Sequence, residues 1–195
     1  MLKEKLTGKH VILASGSPRR QAFLKDLGID FEIRLKEVDE IYPPALKHFE
    51  ISDYLAQLKS LPFEKELQEN DILITSDTIV WHNEKALGKP KTPIEAFAML
   101  NGLSNSTHEV ITSICFKTTT FQKTVSTVTK VTFKELSSKE IEYYINNYKP
   151  FDKAGAYGIQ EWIGNIAITK IEGSYTNVVG LPVHVLYREL LNLCS

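Results

Sequence analysis

The chain has 195 residues, 43% of them hydrophobic and 24% charged, and its 23 basic and 24 acidic side chains leave a net charge of −1. This composition is ordinary for a soluble globular protein and excludes a disordered or fibrous chain. The balanced charge argues against duplex DNA, or any nucleic acid polymer, and against an anionic membrane surface as the main partner. Two cysteines fit a reducing compartment, and the N-terminal residues resemble neither a signal peptide nor a membrane span. We therefore expect a cytoplasmic protein.

The first third of the chain predicts alternating strands and helices. Residues 10–14 (HVILA) form a short buried strand. Ser17 is a good N-cap for a helix that ends near Gly28. Residues 31–35 (FEIRL) alternate as a strand does, and residues 50–60 place apolar side chains on one helical face.

The middle of the chain is rich in strand-forming residues. Residues 63–71 carry alternating charges and are expected to be a solvated helix end. Residues 71–75 (DILIT) predict a strand that IVWH continues, and Thr92 opens a helix through a capping box. Residues 108–116 and 123–133 are rich in β-branched side chains and predict a pair of antiparallel strands.

The last third returns to mixed elements. A second capping box predicts a helix over residues 137–147, and residues 149–160 form a loop. Residues 165–171 (NIAITKI) predict a strand, and residues 173–182 a glycine-bounded loop. An amphipathic helix over residues 180–193 ends the chain. The order of elements indicates an α/β or α+β protein with a mixed sheet.

The strand-to-helix junction at residues 15–20 (SGSPRR) is a candidate anion site. Backbone N–H groups and the positive end of a helix dipole favour an anion there. The hydroxyls of Ser15 and Ser17 and the guanidinium groups of Arg19 and Arg20 add donors suited to phosphate oxygens. A capped helix with two solvated arginines is an equal alternative on the residues alone.

Two further polar segments interrupt apolar patterns. Asp77 lies inside the run ILITSDTIVW, where a buried carboxylate is costly unless it is paired, holds a divalent cation or orients a water. A turn between two strands is the favoured alternative from these residues alone. Lys89, in Gly-Lys-Pro, is able to reach a phosphate, although no Walker A loop is present; a solvated lysine is again the favoured alternative.

The segment DKAGAYGIQ, residues 152–160, combines small residues with polar ones. Small residues let the backbone approach a ligand closely, and Gln160 is able to bond a base edge through both its donor and its acceptor. A flexible turn is the alternative. Together the polar segments indicate an enzyme acting on a phosphorylated small molecule. Its candidate charged residues are Arg19, Arg20, Lys59, Lys89, Lys153, Glu40 and Asp77.

Five segments together closely resemble the Maf family of nucleoside triphosphate pyrophosphatases. They are LASGSPRRQAFLKDLGIDFEI, SDTIVWHNEKALGKP, EAFAMLNGLSNSTHEVITS, DKAGAYGIQ and GSYTNVVGLP, and they run from about residue 10 to about residue 190. The resemblance implies a single domain over residues 1–195, with a mixed α/β fold. An elongated twisted sheet flanked by helices would join two lobes around a central cleft, as in inosine triphosphate pyrophosphatases of the Ham1 type. It also implies a homodimer that cleaves the α–β phosphoanhydride with Mg²⁺ or Mn²⁺.

The same resemblance assigns roles to individual residues. Asp77 would orient or deprotonate the attacking water, and Glu40 and Asp77 would bind the metal. This assignment replaces the turn interpretation of Asp77 and the solvated-lysine interpretation of Lys89. Lys59 and Lys89 join Glu40 and Asp77 as catalytic residues. The substrate-binding residues would be Ser15, Ser17, Arg19, Arg20, Thr78, Lys153 and Gln160.

Substrate choice follows from two positions. Thr78 after the motif aspartate and Gln160 at the end of DKAGAYGIQ resemble the subgroup that acts on dTTP and UTP, including modified uridine triphosphates. An amide pairs with the O4 and N3–H of such a pyrimidine. Three alternatives remain open: a pyrophosphatase for 7-methyl-GTP or other noncanonical nucleotides, a regulatory binding protein of cell division, and a phosphatase that removes the terminal phosphate.

Overall fold

A computed structural model describes residues 1–194, and within them the strands form one mixed sheet. The strands are β1 (His10–Leu13), β2 (Phe31–Ile33), β3 (Asp71–His82), β4 (Lys85–Leu87), β5 (Thr107–Lys117), β6 (Gln122–Phe133) and β7 (Ile168–Glu172). Their order in the sheet is β2-β1-β3-β5-β6-β7, with β4 paired to β3. Strand β1 is parallel to both β2 and β3, whereas β4 is antiparallel to β3 and β7 to β6. The expected mixed sheet is therefore confirmed.

Helices complete the α/β architecture. They are α1 (Leu2–Lys5), α2 (Pro18–Asp26), α3 (Phe49–Leu58), α4 (Pro93–Leu103), α5 (Ser138–Tyr148), α6 (Trp162–Ala167), α7 (Tyr175–Val179) and α8 (Val183–Leu193), with short 3-10 turns at Leu61–Phe63 and Ala154–Ala156. The predicted caps are present: the hydroxyls of Ser17, Thr92 and Ser137 accept N–H groups in the first turns of α2, α4 and α5. Local hydrogen bonding therefore determines where these helices begin.

Strands β5 and β6 form the predicted antiparallel pair. They are neighbours in the sheet, and a short turn joins them. Thr118 N–H donates to the carbonyl of Phe121 at the turn (2.8 Å), and Phe133 N–H donates to the carbonyl of Ser106 at the far end (2.9 Å). Two consecutive strands that are hydrogen-bonded both at the turn and at the far end form a β-hairpin.

The chain divides into two compact units, each with its own core. The first unit contains Met1–Asp77, Thr112–Thr127 and the chain from Gly180 onward, and its core packs α2 and α8 residues such as Leu24 and Leu186 onto Leu13 and Ile74. The second unit contains Thr78–Ile111 and Val128–Val179. Its core gathers apolar side chains of α4, α5, α6 and the 154–160 segment. The expected central cleft stays a prediction.

Three local predictions were wrong. Residues 165–167 are helical and the strand begins at Ile168, because Ile163 and Ala167 are both buried at helical spacing. Residues 63–71 do not end a helix: α3 stops at Leu58, and Pro62 and the buried ring of Phe63 form a 3-10 turn instead. The expected loop over 173–182 contains a helical turn, α7, whose amide side chain at Asn177 is fully buried.

Candidate active site

The SGSPRR segment leaves the carboxyl end of β1 and enters α2. Ser15 Oγ accepts the N–H of Ser17 at 3.2 Å, and Ser17 Oγ accepts the N–H of Arg20 at 3.5 Å. Because α2 leads to β2 on one side of β1 while β3 lies on the other, this end of β1 is a topological switch point. Ligands of open α/β sheets bind at such points, and a helix N-terminus there favours an anion.

Arg20 connects this loop to β3 and to Gly180, the first residue of the last segment of the first unit. Its Nε donates to the carbonyl of Gly180 at 2.9 Å, and its Nη1 donates to the carbonyl of Ser76 at 2.8 Å. Burial lowers the pKa of Arg20, and the charges of Asp77 and Glu40 act in the opposite direction. The guanidinium therefore stays charged and lies within electrostatic reach of both carboxylates.

Lys59 lies between two carboxylates of the first unit. Its Nζ is 2.6 Å from Asp77 Oδ1 and 3.0 Å from Glu40 Oε1. The Asp77 side chain is only 8% exposed, compared with 43% for Glu40. Thr75 Oγ1 donates to the carbonyl of Ala56 at 2.6 Å and so joins β3 to the end of α3, where Lys59 is the C-cap. Asp77 lies within the continuous strand Asp71–His82, which excludes the turn interpretation.

The two carboxylates fit a metal that arrives with a phosphorylated ligand. Over residues 1–194, no group of three or more His, Cys, Asp or Glu side chains is placed to hold a metal ion. Mg²⁺ is commonly bound by one or two carboxylates, with substrate phosphates and water as its other ligands. Glu40 and Asp77 are hard oxygen donors that meet at one ammonium group, so their chemistry suits this mode of binding.

In the second unit, the side chain of Lys153 is held by two acidic residues. Lys153 is 8% exposed, and its Nζ lies 2.7 Å from Asp152 Oδ1 and 3.1 Å from Glu161 Oε1. Tyr144 donates its hydroxyl proton to Glu161 Oε2 and accepts the N–H of Gly158 at 3.0 Å. Burial and the neighbouring Glu161 raise the pKa of Tyr144, so the phenol keeps its proton. Sequence reasoning missed Glu161 as a partner of Lys153, and Tyr144 as the residue that bonds Glu161.

The 154–156 turn lies against the segment that carries Lys89. Gly155 N–H donates to the carbonyl of Gly88 at 3.0 Å. Gly155 has φ +67°, and a Cβ there would be 2.7 Å from Val80 Cγ2, so a glycine is required. Lys89 and Gln160 are exposed residues of this unit, and Thr78 is half-buried.

His108 has the structural role expected for a buried histidine. It is 2% exposed, its Nε2 is 2.8 Å from the hydroxyl of Tyr157, and its ring meets Phe133 edge-on. Burial lowers the pKa of His108 to about 3, so the ring is neutral. His108 anchors Tyr157, which belongs to the DKAGAYGIQ segment.

The predicted residues thus fall into two groups, one in each unit. In the first unit the structure links Arg20, Glu40, Lys59 and Asp77 through ion pairs and electrostatic interactions, and it places Ser15, Ser17 and Arg19 at the start of α2. In the second unit it joins the segments of Lys89 and Lys153 through their backbones. A helix N-terminus at a topological switch point of an α/β sheet, beside a lysine and two carboxylates, is an arrangement that suits phosphorylated ligands.

Comparison with known proteins then gives the family. A family model described as "Maf-like protein" matches residues 10–193, and the chain belongs to the Maf family. Among the relatives, the dTTP/UTP pyrophosphatase of Flavobacterium johnsoniae is 65% identical over 193 residues, covering 99% of this chain and 100% of the relative. The dTTP/UTP pyrophosphatase of Flavobacterium psychrophilum is 59% identical over 192 residues, covering 98% of each chain. The resemblance drawn from the motifs is confirmed.

A solved structure supports the fold. The Ham1 protein of Staphylococcus aureus superposes with a TM-score of 0.52 at 18% identity, covering 93% of this chain and 100% of the other. The predicted fold of Ham1 type is therefore confirmed. No helix within residues 1–194 is long and apolar enough to span a membrane.

Proposed function

We propose that this protein hydrolyses the α–β phosphoanhydride of dTTP and UTP, and of modified uridine triphosphates, to the nucleoside monophosphate and pyrophosphate. The observation that carries the proposal is its 65% identity, over 99% of the chain, to a relative named for this activity. The grouping of Arg20, Lys59, Glu40 and Asp77 supports it, because this reaction needs cationic groups for phosphate and a carboxylate for water.

The first unit supplies the groups for phosphate binding. Ser15, Ser17 and the first turn of α2 would donate hydrogen bonds to phosphate oxygens, and Arg19 and Arg20 would balance their charge. Arg20 is already fixed by the carbonyls of Ser76 and Gly180. Its guanidinium therefore loses little conformational freedom when the ligand binds.

Asp77 is the residue that we assign to the attacking water. Its carboxylate is nearly buried and is held in place by Lys59. A fixed carboxylate orients a water for in-line attack and accepts its proton as the new P–O bond forms and the bridging P–O bond breaks. The pyrophosphate leaves with the bridging oxygen, and Lys59 and Lys89 would offset the charge that develops on it.

Glu40 and Asp77 are the residues that would hold a divalent cation, Mg²⁺ or Mn²⁺. When bound, such a cation polarises phosphate oxygens and neutralises their charge. Lys59 forms ion pairs with both carboxylates and keeps the two acids oriented. We assign to Lys153 a contact with the nucleotide that competes with its ion pairs to Asp152 and Glu161.

Base recognition is assigned to Gln160 and Thr78. An amide donates to a pyrimidine O4 and accepts from N3–H, a pattern that uracil and thymine share and cytosine lacks. A mismatched base that covers Gln160 would leave its amide without a partner, and this loss would discriminate against that base. We also propose that the protein acts in the cytoplasm as a homodimer, with the nucleotide as its ligand and no nucleic acid polymer or membrane as a partner.

A nucleotide panel tests this proposal. Purified protein with Mg²⁺ or Mn²⁺ is given dTTP, UTP, CTP, GTP, ATP and 7-methyl-GTP, and the initial rates are compared. We expect dTTP and UTP to be hydrolysed fastest. Gln160→Ala should lower the rates with dTTP and UTP more than it lowers the rate with CTP. A preference for 7-methyl-GTP would support the other pyrophosphatase subgroup. An absence of turnover would favour the regulatory binding protein.

A further inference from the structure

The hydroxyl of Ser76 is buried without a hydrogen-bond partner among residues 1–194. Ser76 is 1% exposed, and its Oγ bonds to no protein group. A buried polar group without a partner costs free energy. Native proteins keep few such groups, and each calls for an explanation such as a bound ion or a role in the reaction.

Ser76 lies beside the switch point. Strands β1 and β3 are parallel, with Leu13 opposite Ile74. Ala14 N–H donates to the carbonyl of Ile74 at 2.9 Å, so the pairing continues beyond the end of β1. Continued for two more residues, this register would bring Ser15 opposite Ser76. Two serines therefore flank the place where open α/β sheets bind their ligands.

The side chain of Ser76 is on the α2 side of β3. Alternate residues of a strand share a face, so Ser76 shares the face of Ile74. Ile74 packs in one apolar cluster with Leu24 of α2. Asp77 is on the opposite face and pairs with Lys59. The hydroxyl of Ser76 is therefore on the face of β3 that shares its apolar cluster with α2, and Arg20 in the first turn of α2 donates to the carbonyl of the same residue.

We propose that Ser76 Oγ donates a hydrogen bond to a phosphate oxygen of the bound nucleotide and so completes the anion site of Ser15, Ser17 and α2. This inference rests on the proposed function. The dipole of α2 and the charge of Arg20 make an anionic oxygen the favoured acceptor. Because Oγ bonds to no protein group beforehand, the ligand displaces no existing contact of the hydroxyl. Ser76 is a substrate-binding residue, and its hydroxyl keeps its proton.

A single substitution separates this role from a structural one. In Ser76→Ala a hydrogen atom replaces the unpaired hydroxyl group on Cβ. The melting temperature should therefore stay the same or rise. The kcat/KM for dTTP and UTP should fall by about 10- to 100-fold, as expected for one hydrogen bond to a charged group.

Ser52→Ala is the matched control. Ser52 is also fully buried, but its Oγ donates to the carbonyl of Phe49 at 3.1 Å and is 2.7 Å from Ser113 Oγ. Its substitution removes a satisfied hydroxyl, so the melting temperature should fall while kcat/KM stays unchanged. Opposite patterns in the Ser76 and Ser52 variants are the signature of the proposal.

The affinity for inorganic pyrophosphate, measured by calorimetry on the full chain, gives a readout that does not depend on turnover. The proposal expects Ser76→Ala to bind pyrophosphate about 10- to 100-fold more weakly than the wild type. Unchanged kcat/KM and unchanged pyrophosphate affinity overturn it, whatever the melting temperature. If the wild type hydrolyses no nucleotide, the proposed function fails, and the pyrophosphate comparison still decides the role of Ser76. A wild type that binds no pyrophosphate overturns both.

Discussion

Replacing Asp77 by Asn tests the role of this carboxylate in the cluster of charged side chains that also contains Glu40 and Lys59. The substitution keeps the size of the side chain and removes the charge that is 2.6 Å from Lys59 Nζ. A carboxamide is a poor proton acceptor, so the loss of general-base assistance should lower kcat by about 10²- to 10⁴-fold. KM should change less, because the cationic groups that bind phosphate remain.

The same change has a calculable effect on stability. A hydrogen bond to a charged group contributes about 1.5–3 kcal/mol and a neutral one about 1 kcal/mol. The amide oxygen of Asn still accepts from Lys59, and Glu40 remains 3.0 Å away as a second partner. The net cost is therefore about 0.5–2 kcal/mol, or a fall of about 1–8 °C in melting temperature for a chain of this size.

Steady-state kinetics with dTTP and thermal unfolding measure the two effects together. Asp53→Asn is the matched control, because Asp53 Oδ1 accepts the hydroxyl of Ser113 at 2.6 Å and we assign it no part in the reaction. It should lose stability and keep kcat. An Asp77→Asn enzyme with nearly normal kcat, or an Asp53→Asn control as slow as Asp77→Asn, would refute the assignment of the water to Asp77.

Three further predictions concern stability. Gly155→Ala should lower the free energy of unfolding by about 1–3 kcal/mol in urea titration, because φ is +67° and the new Cβ meets Val80. The pKa of His108 is lowered to about 3 by burial, so this residue should lower stability by about 1.4 kcal/mol per pH unit as pH drops from about 6.5 towards 3, and His108→Gln should remove this contribution. Lys134 and the helix start lower the pKa of Glu140 to about 2, so the advantage of wild type over Glu140→Gln should be full above about pH 4.5 and disappear as pH falls towards 2. A flat difference between wild type and variant across either pH range would contradict the corresponding assignment.

The elements that the sequence predicted well are those with local signals. Ser17, Thr92 and Ser137 accept N–H groups of the helices they begin, and such caps depend on neighbouring residues only. The segment of residues 165–167 was misassigned because its apolar run suits a strand as well as a helix. The helix is favoured by tertiary packing, because it buries Ile163 and Ala167 in the core of the second unit.

The candidate site was predictable in its residue types and not in its contacts. The motifs gave Glu40, Lys59 and Asp77, but no spacing reveals that one ammonium group lies between both carboxylates. Glu161 and Tyr144 were missed because they lie 17 residues apart and meet only after α5 packs against the DKAGAYGIQ segment. Ser76 gave no signal of its own, since an unpartnered hydroxyl is visible only once its surroundings are folded.

The most direct test of the proposed activity is the identity of its products. Wild-type protein and Asp77→Asn are incubated with dTTP and a divalent cation, and the phosphorus-containing products are resolved by chromatography. We expect dTMP and pyrophosphate in equal amounts from the wild type and almost none from the variant. Release of dTDP and orthophosphate, or equal turnover by the variant, would contradict it.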